Sequence, residues 1–169
     1  MTIDSFDYII VGAGTAGCVL ANRLSADPKT SVLLLEAGGK DNYHWIHIPV
    51  GYLFTLGNPR TDWCFKTEVE AGLNGRAIDY ARGKVLGGCS SINGMIYMRG
   101  QSRDYDQWRQ MGNVGWSWDD VLPYFRKTED HYAGVDEMHG AGGEWRVEEQ
   151  RLSWEILAAF REAAAEAGI

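Results

Sequence analysis

Residues 6–17 read Phe6-Asp-Tyr-Ile-Ile-Val-Gly-Ala-Gly-Thr-Ala-Gly17. The β-branched and aromatic run from Phe6 to Val11 predicts a short, buried parallel strand. Gly12, Gly14 and Gly17 follow it at once with the spacing G-x-G-x-x-G. A helical pattern then runs from about Ala16 to Ser25, with Val19, Leu20 and Leu24 on one face. Asp27 and Pro28 break it. Ser31 to Glu36, Ser-Val-Leu-Leu-Leu-Glu, is a second apolar strand. Strand, helix and strand in this order make one βαβ unit over residues 6–36.

The three glycines have separate physical tasks. Gly12 permits the tight turn, Gly14 lets backbone approach a pyrophosphate, and Gly17 lets the helix pack closely on the strand. The helix N-terminus offers N–H groups and a positive dipole end to phosphate, and Thr15 adds a hydroxyl. Glu36 closes the second strand nineteen residues after Gly17, where a dinucleotide site places an acid about 20 residues on to hold ribose hydroxyls. The same carboxylate repels a 2′-phosphate. The bland alternative is a tight βα turn with a solvated Glu36. This fingerprint by itself does not separate FAD from NAD.

Outward from this unit, residues 37–82 are irregular, aromatic and rich in glycine, with a short strand expected at Arg76 to Tyr80. A stretch of this length without clear structure is usually functional in a compact domain. Residues 82–100 carry a second glycine cluster, Gly87 and Gly88, followed by Cys89, Ser90 and Ser91. Such a donor-rich turn suits phosphate or a heterocycle as well as plain packing. The apolar run Ser90 to Met98 reads as a buried helix. Ser102 is expected to cap a helix through Met111, and Ser117 with Asp120 starts another through about Glu129. Pro123 lies beyond that helix's first position and predicts a distorted opening turn. Gly143 to Glu148 reads as a strand. Ser153 is expected to cap a last helix with Ile156, Leu157, Phe160 and Ala164 on one face. The domain reading is residues 1–150 as one nucleotide-binding region, with 151–169 the start of the next.

Composition removes several classes. The 169 residues carry 16 Lys and Arg against 23 Asp and Glu, a net charge of −7. The basic residues form no run or stripe, so the footprint of a nucleic-acid binder is missing. No stretch approaches the roughly 20 apolar residues of a membrane span. Phe6 to Val11 runs straight into a glycine loop and lacks a secretory pattern, which reads as a cytoplasmic protein. Cys18, Cys64 and Cys89 are odd in number and lack metal spacing; buried, reduced thiols are expected.

The segment Gly83-Lys-Val-Leu-Gly-Gly-Cys-Ser-Ser-Ile-Asn-Gly-Met-Ile-Tyr-Met-Arg-Gly100, followed by Asp104-Tyr-Asp-Gln-Trp108, resembles the first signature of the glucose-methanol-choline (GMC) oxidoreductases. So do residues 7–25, Leu33 to Gly39, Thr61-Asp62-Trp63, Gly115-Trp116-Ser117, Val121 to Phe125 and His139-Gly140. The resemblance covers essentially the whole chain in order. It implies an α/β, Rossmann-like FAD-binding domain, N-terminal part only, with an incomplete sheet.

It also implies a cofactor site. Gly12, Gly14, Thr15, Ala16 and Gly17 would hold the pyrophosphate of FAD, and Glu36 and Ala37 the adenosine. Arg82, Gly83, Val85 and Gly88 would line the extended cofactor, and Asn93, Gly94, Met95 and Ile96 would pass beside the flavin ring. Ile92 stands where some members attach FAD through His, so non-covalent FAD is expected.

The family reaction removes an alcohol proton with a His base while hydride passes to the flavin, which is reoxidised by oxygen, a quinone or another acceptor. That base lies in the C-terminal half of family members. None of His44, His47, His131 and His139 matches its motif, so no catalytic residue is assigned and the chain alone is expected to be inactive. His44 and His47 as metal ligands lack a third partner, and no metal is assigned. Asp104, Asp106 and Glu129 read as solvated or capping carboxylates. Two alternatives stay open: an FAD-dependent lyase on the same scaffold (hydroxynitrile lyase or photodecarboxylase), and an inactive fragment. A small-molecule alcohol is the expected partner, with neither nucleic acid nor a transmembrane segment.

Overall fold

The computed structural model describes residues 5–168. They form two compact units that divide between Ile96 and Tyr97.

In the first unit, β1 (Tyr8–Val11) and β2 (Val32–Leu35) pair in parallel from Tyr8↔Val32 to Val11↔Leu35. They are joined through α1 (Thr15–Leu24). The crossover depends on Gly17, where a Cβ would lie 1.9 Å from the Gly12 carbonyl oxygen. The expectation of a buried β1 is corrected: Ile10 is 8 % exposed, but Ile9 is 60 % and Val11 84 % exposed. A parallel strand is buried when both faces of its sheet are covered. Among the described residues this sheet has two strands.

The stretch 37–82 is more ordered than its composition suggests. Single-turn 3-10 helices at His44–His47 and Pro49–Gly51 lead into α2 (Tyr52–Thr55). They close into a knot because Trp45 stacks on Phe54 at 4.2 Å and Gly51 lies against the Trp45 carbonyl. The expected strand near residue 80 is β4 (Asp79–Tyr80), antiparallel to β3 (Phe65–Lys66). The helix expected at Ser90–Met98 does not form. A 3-10 turn covers Gly88–Ser91, and the chain then leaves helical geometry. Asn93 is the cause: its Oδ1 accepts the Met95 N–H at 2.9 Å, with Met95 at φ 58°. Such side-chain turns compete with helix.

In the second unit, α3 (Ser102–Gln110) and α4 (Trp118–Thr128) pack through Tyr105, whose ring meets Trp108, Trp118 and Phe125. Ser117 and Asp120 form the capping box expected for α4. The cap of α3 is Gln101 instead of Ser102, with Asp104 returning to the Gln101 N–H at 2.8 Å. Helix α4 runs on through Pro123. It stops at Thr128, where Glu129 opens β5 (Glu129–His131), parallel to β6 (Trp145–Val147). The last helix, α5 (Glu155–Glu166), has Trp154 at its N-cap, so Ser153 does not cap it.

Cys18, Cys64 and Cys89 are free thiols, but their expected burial is corrected, since all three are exposed. Cys64 sits in a left-handed turn at φ 56° and Cys89 in the 3-10 turn, and such turns lie at the surface. Among the described residues the buried apolar side chains are few: Ile10, Ala13, Val85 and Ile92. Among the described residues, no helix is long and apolar enough to cross a membrane.

Candidate functional site

The buried residues of the first unit include Ala13 in the first glycine turn, and Val85 and Ile92 on either side of the second. Gly12 takes φ 96° and donates its N–H to the Leu35 carbonyl at 2.7 Å. Gly14 is the N-cap of α1, and among the described residues no side chain caps that end. A Cβ on Gly12 or Gly14 would meet nothing within 4 Å. The loop therefore presents an uncovered backbone face at a helix N-terminus, the surface that anions favour.

Glu36 closes this loop from below. Its Oε2 accepts the Ala13 N–H and its Oε1 the Gly38 N–H, both at 2.8 Å. A carboxylate has about four acceptor positions, so each oxygen can still take a hydroxyl. Ala37 is exposed beside it.

The second turn is bonded to the first. Gly87 and Gly88 take φ 92° and 57°. The Gly87 N–H donates to the Ala13 carbonyl at 2.7 Å, and the Thr15 and Ser90 hydroxyls hydrogen-bond each other. A Cβ on Gly88 would come within 2.9 Å of the Gly14 Cα.

The chain entering this turn is held on both sides. Trp63 N–H donates to the Arg82 carbonyl at 2.9 Å, and Lys84 N–H to the Thr61 carbonyl at 2.8 Å. On the opposite side Leu86 N–H reaches the Gly39 carbonyl at 2.9 Å. Gly38 is required there, because its Cβ would overlap the Lys84 backbone at 2.1 Å. Asp62 is buried at the base. Burial pushes its carboxyl up, but N–H donors from Cys64, Gly57 and Arg82 and the Arg82 charge outweigh this and hold it below the usual carboxylate range.

The sequence-derived residues divide by exposure. Gly12, Gly14, Thr15, Ala16, Glu36, Ala37, Gly83, Gly88, Asn93, Gly94, Met95 and Ile96 have accessible surface. Gly17 is buried and Val85 is 1 % exposed, so both act by packing. The Arg82 guanidinium lies over the Tyr80 ring at 3.8 Å. A crevice of about 20 Å³ between Trp45, Tyr52, Ser90, Asn93 and Met95 has room for a water and none for a ring. Gly94, by contrast, has nothing within 4 Å of its Cβ direction, and Ile96 beside it is 82 % exposed.

In the second unit, Glu129 departs from the solvated or capping role expected of it. Its side chain is fully buried. It accepts the Gly140 N–H at 2.7 Å and pairs with Arg99 at 2.9 Å and His139 Nδ1 at 3.1 Å. Burial raises its pKa, while Gly140, His139, Arg99 and Tyr97 together bring it below the ordinary value. Polarity gave no hint of this, because the closing partners lie ten and thirty residues away in sequence. Asp104 does cap α3, and Asp106 accepts the Trp118 N–H at 3.0 Å. His131 stacks on His139 at 4.0 Å, and His47 Nε2 bonds the Asp41 carbonyl at 2.6 Å. Among the described residues, no three His, Cys, Asp or Glu converge as a metal site.

Comparison with known proteins gives the same answer over nearly the whole chain. Residues 6–169 match the family model described as GMC oxidoreductase. The chain is 45 % identical to human mitochondrial choline dehydrogenase over 98 % of its length, covering 29 % of that protein. It is 51 % identical to an oxygen-dependent choline dehydrogenase of Vibrio vulnificus over 82 % of this chain and 25 % of that one. The chain thus spans between a quarter and a third of the length of these relatives. Among solved structures it resembles pyridoxine 4-oxidase from Mesorbium loti, with a TM-score of 0.87 and 41 % identity over 96 % of this chain and 32 % of that one. An FAD-dependent oxidoreductase from Chaetomium thermophilum follows, with a TM-score of 0.81 and 33 % identity over 98 % of this chain and 30 % of that one. The match over residues 6–169 and these likenesses place the chain in the GMC oxidoreductase family, as the N-terminal FAD-binding part of its fold.

Proposed function

We propose that this chain holds FAD without a covalent bond, as the cofactor-binding part of an enzyme that oxidises an alcohol at its CH–OH group. The observation that carries this reading is the direct bond between the two glycine turns, Gly87 N–H to Ala13 carbonyl at 2.7 Å, with Gly12, Gly14 and Gly94 all open toward solvent. These open positions are where a Cβ would take up ligand space, and the surface they leave fits a long cofactor.

In this reading Gly12, Gly14, Thr15 and Ala16 hold the pyrophosphate through backbone N–H groups and the Thr15 hydroxyl, on the positive end of α1. Glu36 accepts from the ribose while it braces the loop, and Ala37 lies at the adenosine. Gly83 and Gly88 give backbone access along the cofactor, with Val85 and Gly17 packed behind them and Arg82 at the rim. Asn93, Gly94, Met95 and Ile96 form the ledge beside the ring. Ile92 is 2 % exposed and carries no nucleophile, so it offers no attachment point. The bound flavin supplies the hydride acceptor.

The substrate is a small alcohol, and the electrons pass on to oxygen, a quinone or another acceptor. Choline and pyridoxine are named for relatives of this chain.

Titrating FAD into the purified chain while following flavin fluorescence and visible circular dichroism tests the reading. Saturable binding with an induced dichroic signal is expected. An unbound flavin spectrum throughout the titration rejects it.

A further inference from the structure

Asp62 is 2 % exposed. A buried carboxylate stays ionised only when donors surround it. Three backbone N–H groups do so: Gly57 at 2.7 Å on Oδ2, and Cys64 and Arg82, each at 2.9 Å, on Oδ1. Gly57 and Cys64 bracket a tight loop in which both take left-handed backbone, φ 69° and 56°. That loop is fastened further by the buried Thr61, whose hydroxyl donates to the Thr55 carbonyl at 2.8 Å. Arg82 is different. It is twenty residues away, at the start of the second glycine-bearing segment.

The Asp62 carboxylate therefore joins a rigid local loop to a distant strand-like segment. From Arg82 the hydrogen-bonded path to the nucleotide loop is short. Asp62 faces Gly83 in an antiparallel bridge, and Val85 faces Gly39 in a parallel one. Gly87 then reaches Ala13. A slip of one residue at Arg82 would turn Val85, 1 % exposed, out of the interior and take Gly88 from the Gly14 Cα.

We infer that Asp62 is a positioning residue for the flavin-bearing half of the cofactor: its carboxylate fixes the register of Arg82 and Gly83, and so the placement of residues 82–88 against the nucleotide loop. This rests on the FAD reading above. It carries a consequence that general stabilisation does not. ADP needs the Gly12–Gly17 loop and Glu36, whereas FAD also needs residues 82–96. Loss of the Asp62 bonds weakens FAD and spares ADP.

The test uses the full chain with Asp62→Ala and Asp62→Asn, titrated separately with FAD and with ADP by calorimetry. Asp62→Asn keeps Oδ1 for Cys64 and Arg82 but sets its NH₂ against the Gly57 N–H. Asp62→Ala should weaken FAD about tenfold and ADP by less than about twofold. Asp62→Asn should weaken FAD by about threefold with ADP unchanged and far-ultraviolet dichroism intact. Amide exchange without cofactor should show Arg82 and Cys64 losing protection in Asp62→Ala and losing part of it in Asp62→Asn, where the clash with the Gly57 N–H displaces the amide. Where Asp62→Ala does not fold, Asp62→Asn decides. Equal losses for FAD and ADP, or unchanged FAD affinity in the folded variants, overturn the role of Asp62. A wild-type chain that binds ADP and not FAD overturns the FAD reading itself.

Discussion

Gly88 rests against Gly14 so closely that a methyl group on Gly88 would approach the Gly14 Cα to 2.9 Å. Gly88 is also in left-handed backbone, φ 57°, which costs an alanine about 1 kcal/mol before any contact is counted. Gly88→Ala should therefore push the two turns apart. Secondary structure should survive while FAD affinity falls at least about tenfold. Calorimetric titration of the folded variant checks this, and wild-type affinity would show that the turns do not share one ligand.

Gly14 and Gly17 belong to one motif and should respond oppositely to alanine. A Cβ on Gly14 meets open space, whereas one on Gly17 lies 1.9 Å from the Gly12 carbonyl oxygen. Gly17→Ala should lose about 3 kcal/mol of stability. Gly14→Ala should lose about 1 kcal/mol as a poorer N-cap, and its main deficit should be nucleotide affinity. Denaturant melts beside ADP titrations separate the two effects.

Acid should release the second unit through Glu129. Its folded pKa lies below the ordinary value of 4.5, so its contribution is complete above pH 4.5 and is lost as pH falls through the folded value. Glu129→Gln leaves Arg99, only 10 % exposed, without its counter-charge, and should cost about 3 kcal/mol at neutral pH. Its stability should also depend less on pH below 4.5 than the wild type's. Tyrosine and tryptophan fluorescence across an acid titration reads both.

Acid precipitation of flavin-loaded protein should leave the pellet colourless and the flavin in the supernatant. Ile92 has no nucleophile and is 2 % exposed. A yellow pellet after washing would reveal a covalent link elsewhere.

What the sequence determined by itself is the local backbone of the candidate site. Gly12, Gly14, Gly17 and Glu36 lie within twenty-five residues of one another, and a strand, a tight turn and a helix leave their backbone little choice. The Ser117 and Asp120 cap was legible for the same reason, being a reciprocal bond across three residues. The failed helix at Ser90–Met98 marks the limit. An apolar run reads alike as helix or extended chain, and the Asn93 bond to Met95 decided between them.

Tertiary structure decided what joins residues far apart. Asp62 reaching Arg82 and Glu129 gathering Arg99 and His139 are long-range pairings. A carboxylate in sequence carries no sign of whether water or buried N–H groups will surround it. Burial of a charge follows from which distant segments close over it, and those contacts exist only once the chain has folded.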